Sequence, residues 1–228
     1  MIANKRKFYM GLVGLGLFVI LLVVMFMPVF SGKNAFAYSD ELFNEISKDS
    51  SYQVPGLQED SQEYIGKSIE VTVGMEGDDQ AQQTALLYQK AGAEATASGS
   101  NLSINGDLGT IVQSCLEDAD AMYQNNGAAV SELYGYDERE VMYNWWKSFD
   151  KMGKALDEQG LEDEKKFVND VKQDAIEPAY NFYQIEAQSI SDRLGIVIFA
   201  LVFYIFYTIW YGFSLMFLFE GFGLATKH

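Results

Sequence analysis

Two long apolar runs bracket this chain. Phe8 to Phe30 is an uncharged stretch of 23 residues, and Gly195 to Phe219 is a second of 25, with Glu220 the first charge after it. At about 1.5 Å per helical residue, each is long enough to cross a hydrocarbon core of roughly 30 Å. Transmembrane helices are therefore expected at 8–30 and 193–222, with short ends at 1–7 and 223–228. Tyr204, Tyr207, Trp210 and Tyr211 enter the second run, as aromatic residues do near headgroups. Lys5, Arg6 and Lys7 directly precede the first run, which predicts a cytoplasmic N-terminus. Two crossings then return the C-terminus to the cytoplasm and place residues 31–192 outside the cytoplasmic (inner) membrane. Lys33 and Arg193 flank the spans on that outer side, two isolated charges against a cluster of three. Ala35-Phe36-Ala37 has the form of a signal-peptide cleavage site. A retained anchor is expected instead, because an apolar run of 23 residues exceeds the roughly 7–15 of a signal-peptide core.

Between the runs the pattern changes from element to element. Residues 31–66 are polar and contain Pro55-Gly56; a short helix fits Asp40 to Ile46, and the rest is expected to wrap over a surface. Residues 67–127 read as a small α+β unit. Ile69, Val71, Val73 and Met75 alternate with Glu70, Thr72 and Gly74, the period of a half-buried strand. Asp78 or Asp79 is placed to cap a helix running to Ala91, with Gly92 at its end. Glu94 to Ser98 and Leu102 to Asn105 flank Gly99-Ser100-Asn101 and predict a hairpin with a three-residue turn. Asp107 is placed to cap a helix from Leu108 to about Gln124 that buries Ile111, Val112, Cys115, Leu116, Ala119 and Tyr123, and Asn125-Asn126-Gly127 is expected to end it.

Residues 128–192 read as helical. Asp137-Glu138-Arg139-Glu140 has capping-box form. Val141, Trp145, Phe149, Met152 and Leu156 then recur on one helical face until Gln159-Gly160. Leu161, Glu164, Val168, Val171 and Ala175 share the next stripe. Pro178 is expected to bend this helix, which otherwise continues almost without a linker into the second span. The predicted fold is thus an α+β outer domain, a strand–helix–hairpin–helix unit plus C-terminal helices, carried by two transmembrane helices.

Charge sharpens this picture. The 228 residues carry a formal net charge of −16. Of the 32 acidic residues, 31 lie between Asp40 and Asp192 with only ten basic ones, so that span carries −21. Nucleic-acid binding through phosphate neutralisation is excluded, as is docking of this segment on an anionic lipid surface. The single histidine is His228 and the single cysteine Cys115. These counts exclude Cys/His zinc sites, Ser-His-Asp triads and an internal disulfide. Cys115, on an apolar stripe, is expected to be buried and inert.

Candidate chemistry is sparse. Glu117, Asp118 and Asp120, and Glu162, Asp163 and Glu164, offer paired carboxylates, but each group reads first as a solvated helix face. Asn101-x-Ser103-x-Asn105-Gly106 copies the start of a calcium loop, yet its twelfth position is Val112 where a glutamate is needed. Tyr143-Asn144-Trp145-Trp146 is the most unusual string. With Tyr136 it marks Tyr136, Tyr143, Trp145 and Trp146 as a candidate partner or ligand surface. Pro178 to Tyr183 is expected to form an aromatic belt at the membrane surface. Gly11, Gly14 and Gly212 mark places where intramembrane helices can approach closely. Glu220 is expected to pair with Lys227 or stay hydrated.

These features point to a non-enzymatic subunit or scaffold of a cell-envelope complex, needing no cofactor. Its expected partners are the lipid bilayer and other integral membrane proteins, or a second copy of itself. One alternative is a ligand-sensing module; the sequence ends eight residues past Glu220, so its output would pass to a partner. Another is an acidic docking site for a basic extracytoplasmic protein, such as a redox partner.

Overall fold

The computed structural model describes residues 2–224. It is mixed α+β, with two helices long and apolar enough to cross a membrane and one three-stranded sheet. The chain divides into two compact units, one formed by residues 1–46 and 188–228, the other by residues 47–187.

The first unit is built on two helices, α1 (Lys5–Phe26) and a much later one, Ile190–Gly221, which becomes α10 in chain order. Asn4 caps α1 by accepting from the Lys7 amide at 3.1 Å. The apolar run continues to Phe30 but the helix does not. Met27 is extended (φ −77°, ψ 150°), as the residue before Pro28 must be, so the helix stops at Phe26. Ser31 and Gly32 then turn with positive φ, and Phe30 and Lys33 exchange backbone hydrogen bonds at 2.9 Å. α2 (Ala35–Ser50) follows, far longer than the expected Asp40 to Ile46, because Asn34 accepts from the Ala37 amide and starts it early.

α1 and α10 pack together through glycine. A methyl group on Gly11 would lie 2.6 Å from the Leu218 amide nitrogen, and one on Gly221 would lie 2.6 Å from Phe8 Cα. Glycine is required at both, since nothing else admits so close an approach. Gly14 faces Ser214 in the same seam. Gly212, expected to serve likewise, has nothing within 4 Å and does not line this contact, whereas Gly221 does and was not anticipated.

The second unit starts with the segment expected to wrap over a surface. Instead, α3 (Val54–Ser61) buries Val54 and Leu57 in the core and packs on the later helix Leu108–Tyr123. β1 (Ser68–Gly74) alternates strictly between exposed and buried residues. α4 (Asp78–Lys90) is preceded by Gly77 as its cap residue. Asp78 and Asp79 lie in its first turn, where they favour the helix through its dipole rather than by capping. β2 (Glu94–Ser98) and β3 (Asn101–Asp107) form a hairpin in which Ser98 pairs with Asn101. The turn therefore has two residues, Gly99 and Ser100, with Gly99 at φ 58°. The apparent calcium-loop start lies entirely in β3, so no such loop exists there. The sheet order is β1-β3-β2, all antiparallel. Ile69, Val71, Val73, Ala95, Leu102 and Ile104 are buried on one face, and the other is polar.

α5 (Leu108–Tyr123) is capped by Asp107, which accepts from the Thr110 amide at 2.8 Å. Asn125, at φ 61°, supplies the left-handed residue after it. Gly127 does not end a helix but begins one, α6 (Gly127–Tyr134). α7 (Glu138–Glu158) is capped by Asp137 and buries Val141, Trp145, Phe149, Met152 and Leu156 completely. α8 (Glu162–Val171) follows the left-handed Gly160. The departure from α-helical geometry comes before Pro178, where a bend was expected. Lys172–Ile176 is a π turn, and Pro178 sits in the first turn of α9 (Glu177–Asn181), where its missing N–H loses no helical hydrogen bond. Ala179 and Tyr183 are buried in the core, so Tyr183 cannot serve in the expected membrane belt, whereas Tyr180 is exposed.

The continuous helix expected to enter the second span is interrupted after Asn181, and α10 begins only at Ile190. Distant side chains have taken the backbone groups that a helix would use. The Gln184 amide donates to Asn125 Oδ1 at 2.8 Å, with Gln184 at φ 68°. The Ile185 carbonyl accepts from Lys48 and from the Asn125 amide group.

Candidate functional site

The four residues of the expected aromatic surface separate. Trp145 is fully buried, with Tyr88 and Phe149 edge-on against it at 5.1 and 5.6 Å. It cannot face a partner without opening the core. Tyr136 is half-buried, and its hydroxyl accepts from Asn144 at 3.4 Å. Tyr143 and Trp146 stay together at the surface, stacked at 6.0 Å and 18°. Tyr143 donates to Glu76 at 3.2 Å, Trp146 to Glu177 at 2.8 Å, and Lys172 lies over the Trp146 ring. What survives of the candidate surface is thus a half-buried aromatic pair, each member tied to a carboxylate.

Two buried ionisable side chains lay outside that expectation. Asp118 was read with Glu117 and Asp120 as a solvated face, yet it is 5% exposed. Its Oδ2 accepts from Tyr134 Oη at 2.6 Å and from Trp145 Nε1 at 2.8 Å. Burial raises its pKa to about 6; the two hydrogen bonds oppose that rise and neighbouring Glu117 adds to it. Both donors are neutral, so the arrangement holds the carboxylate without an ion pair. The periodicity of α5 does place Asp118 beside Leu116 and Ala119, which was the only available signal.

Lys48 is the second. It is 2% exposed, and its Nζ donates to Asn125 Oδ1 at 2.9 Å and to the Ile185 carbonyl at 2.6 Å. The Tyr123 ring lies 5.1 Å away. Burial lowers the Lys48 pKa, and Glu186 partly restores it. A polar cavity of about 320 Å³ opens beside it, lined also by Asp49, Tyr52, Tyr123, Gln124, Asn125 and Glu186. Tyr52 donates to Asp120 at 2.6 Å and tilts against Tyr123 at 5.0 Å.

Cys115 is buried, and burial pushes its thiol well above the usual range. Among the described residues, no cluster of three or more His, Cys, Asp or Glu side chains is arranged to hold a metal ion.

The helical hairpin carries an apolar groove of about 620 Å³, lined by Tyr9, Met10, Val13, Trp210, Phe213 and Phe217, with Arg6 beside it. Trp210 is held in place, since its Nε1 donates to the Gly14 carbonyl at 3.1 Å while Ser214 Oγ donates to the Trp210 carbonyl at 2.8 Å. Glu220 pairs with Lys7 at 2.7 Å; the pairing expected with Lys227 falls outside the described residues. No family model, curated protein or solved structure matches this chain.

Proposed function

We propose that this chain is a non-enzymatic integral-membrane subunit, or scaffold, of a cell-envelope complex. Its hairpin seats a membrane helix of another protein, and its acidic unit, on the extracytoplasmic side, is presented for protein–protein interaction. The groove on the α1/α10 hairpin carries this reading. It is apolar, flanked by large aromatics, and its key ring is pre-positioned by a hydrogen bond to Gly14. Lipid-exposed helices gain little from burying apolar area in one another, so association in a bilayer relies on shape and close packing. A pre-formed groove supplies that shape. The test is purification of the native chain in mild detergent, with mass spectrometry of what accompanies it. A stoichiometric integral membrane protein should co-purify with the parent and be lost from Trp210→Ala and Phe213→Ala variants. A native chain that runs as a bare monomer overturns the proposal.

A second reading is favoured by the charge balance of the α+β unit. Residues 47–187 hold 27 acidic and ten basic residues, a net −17. Of those ten, Lys48 is buried and Lys67, Lys147, Lys154, Lys165 and Lys172 are paired with carboxylates. Most of the acidic surplus therefore has no internal counter-charge and suits a basic protein partner. Such docking weakens steeply with ionic strength; binding that is unchanged between low and high salt removes this reading.

A further inference from the structure

We propose that the cavity beside Lys48 is a binding site for a small zwitterion, an α-amino acid or a close analogue. The argument starts from donors. An ammonium group has three N–H bonds. Two are given to the Asn125 and Ile185 oxygens, leaving one. Among the described residues no carboxylate forms an ion pair with Lys48, whereas half-buried Lys147, Lys165 and Lys172 each have one. A cation 98% removed from solvent, hydrogen-bonded only to neutral oxygens and only partly offset by nearby Glu186, is costly, and an incoming anionic group offsets that cost further. The cavity gives such a group access, and about 320 Å³ is at the low end of small-molecule sites, which span roughly 300–1,000 Å³.

The rest of the lining decides the ligand's charge. Asp49 and Glu186 also face the cavity, and Glu186 Oε1 lies 3.5 Å from the Asn125 amide group that supports Lys48. A simple anion would be drawn to Lys48 but repelled by two carboxylates. A simple cation would suit the carboxylates but give the third N–H of the buried ammonium no acceptor. A molecule carrying both charges a few bonds apart satisfies both. Its carboxylate takes the third N–H of Lys48, and its ammonium faces Glu186 and Asp49. The Tyr52 and Tyr123 rings, 5.0 Å apart, provide an apolar flank for a side chain. Asn125 fixes the geometry. Its Oδ1 accepts from both Lys48 and the Gln184 amide, so the ammonium and the backbone that shapes the cavity share one anchor. The site lies wholly within the α+β unit and does not depend on the membrane-subunit reading.

The experiment is calorimetric titration of the full chain in detergent with each of the twenty standard α-amino acids. The tightest binder is followed by its amide, which lacks the carboxylate, and its N-acetyl form, which lacks the ammonium. At least one amino acid should bind, and each blocked form should bind at least tenfold more weakly. Lys48→Met should abolish binding. Glu186→Gln should weaken the parent ligand about tenfold while leaving the N-acetyl form unchanged. Should Lys48→Met not fold, the blocked ligands and Glu186→Gln still decide the matter. No binding by any of the twenty at about 10 mM, or equal binding of the parent and blocked forms, overturns the proposal.

Discussion

Trp145 donates its indole hydrogen to Asp118 Oδ2 at 2.8 Å, joining α7 to α5 through a carboxylate that solvent scarcely reaches. Among the described residues, Tyr134 of α6 supplies the only other hydrogen bond to that oxygen, at 2.6 Å. One acidic side chain thereby ties three helices together with two neutral donors. Replacing Trp145 by Phe keeps most of the ring packing on Tyr88 and Phe149 and removes one donor from a buried acceptor. The expected cost is about 2–3 kcal/mol, the lost bond plus incomplete filling of the indole's space. Chemical denaturation of the full chain in detergent measures it; a loss below about 0.5 kcal/mol would show that Asp118 does not need this donor.

The same carboxylate makes stability depend on pH. Its pKa in the folded chain is about 6, raised from 3.8 chiefly by burial. Between those values the folded state holds a proton that the unfolded chain releases. Stability therefore increases as pH falls through that window and decreases as pH rises through it, by about 3 kcal/mol in full. Asp118→Asn removes the titration, so its unfolding free energy should be flatter than the parent's between pH 4 and 6. Parallel slopes for the two proteins would place the pH dependence elsewhere in this acidic unit.

The hairpin makes a paired prediction. Gly11→Leu forces a side chain into the Leu218 and Ser214 backbone and should separate or shift α1 and α10. Gly212→Leu meets open space within 4 Å and should leave the packing unchanged. Cysteine cross-linking between introduced α1 and α10 positions reads the difference: efficiency should fall severalfold for the first variant and hold for the second.

Cys115 should resist modification. It is buried on α5, and burial suppresses its thiolate. A thiol reagent at pH 8 should label the native chain at least a hundredfold more slowly than the denatured one. Labelling at comparable rates would mean that α5 opens readily.

Much of the local structure was legible before any fold was known. The strand at Ser68–Gly74, the α5 cap at Asp107 and the α7 face from Val141 to Leu156 follow from residues a few positions apart. Periodicity and capping act over just that range. The end of α1 was overextended because hydropathy was read past Pro28, whose backbone restriction is local and was available. The candidate site was much less legible. Trp146 and Tyr143 stack on one another, but Trp145, expected beside them, points inward.

Asp118 and Lys48 show why. In sequence, Asp118 stands among other acids and Lys48 sits in the polar stretch Ser47-Lys48-Asp49-Ser50. Nothing local distinguishes Lys48 from a solvated charge, and for Asp118 only the apolar stripe of α5 does so. Burial of Asp118 depends on Trp145 and Tyr134, 27 and 16 residues away, and burial of Lys48 depends on Asn125 and Ile185, 77 and 137 residues away. The same long-range capture unwound the helix expected after Asn181. Short-range periodicity and overall charge were enough to establish two helices long and apolar enough to cross a membrane, the α+β class and the acidic character of the part between them. Which charges leave water, and where a helix gives up its own hydrogen bonds, is decided only when distant segments compete for the same donors and acceptors.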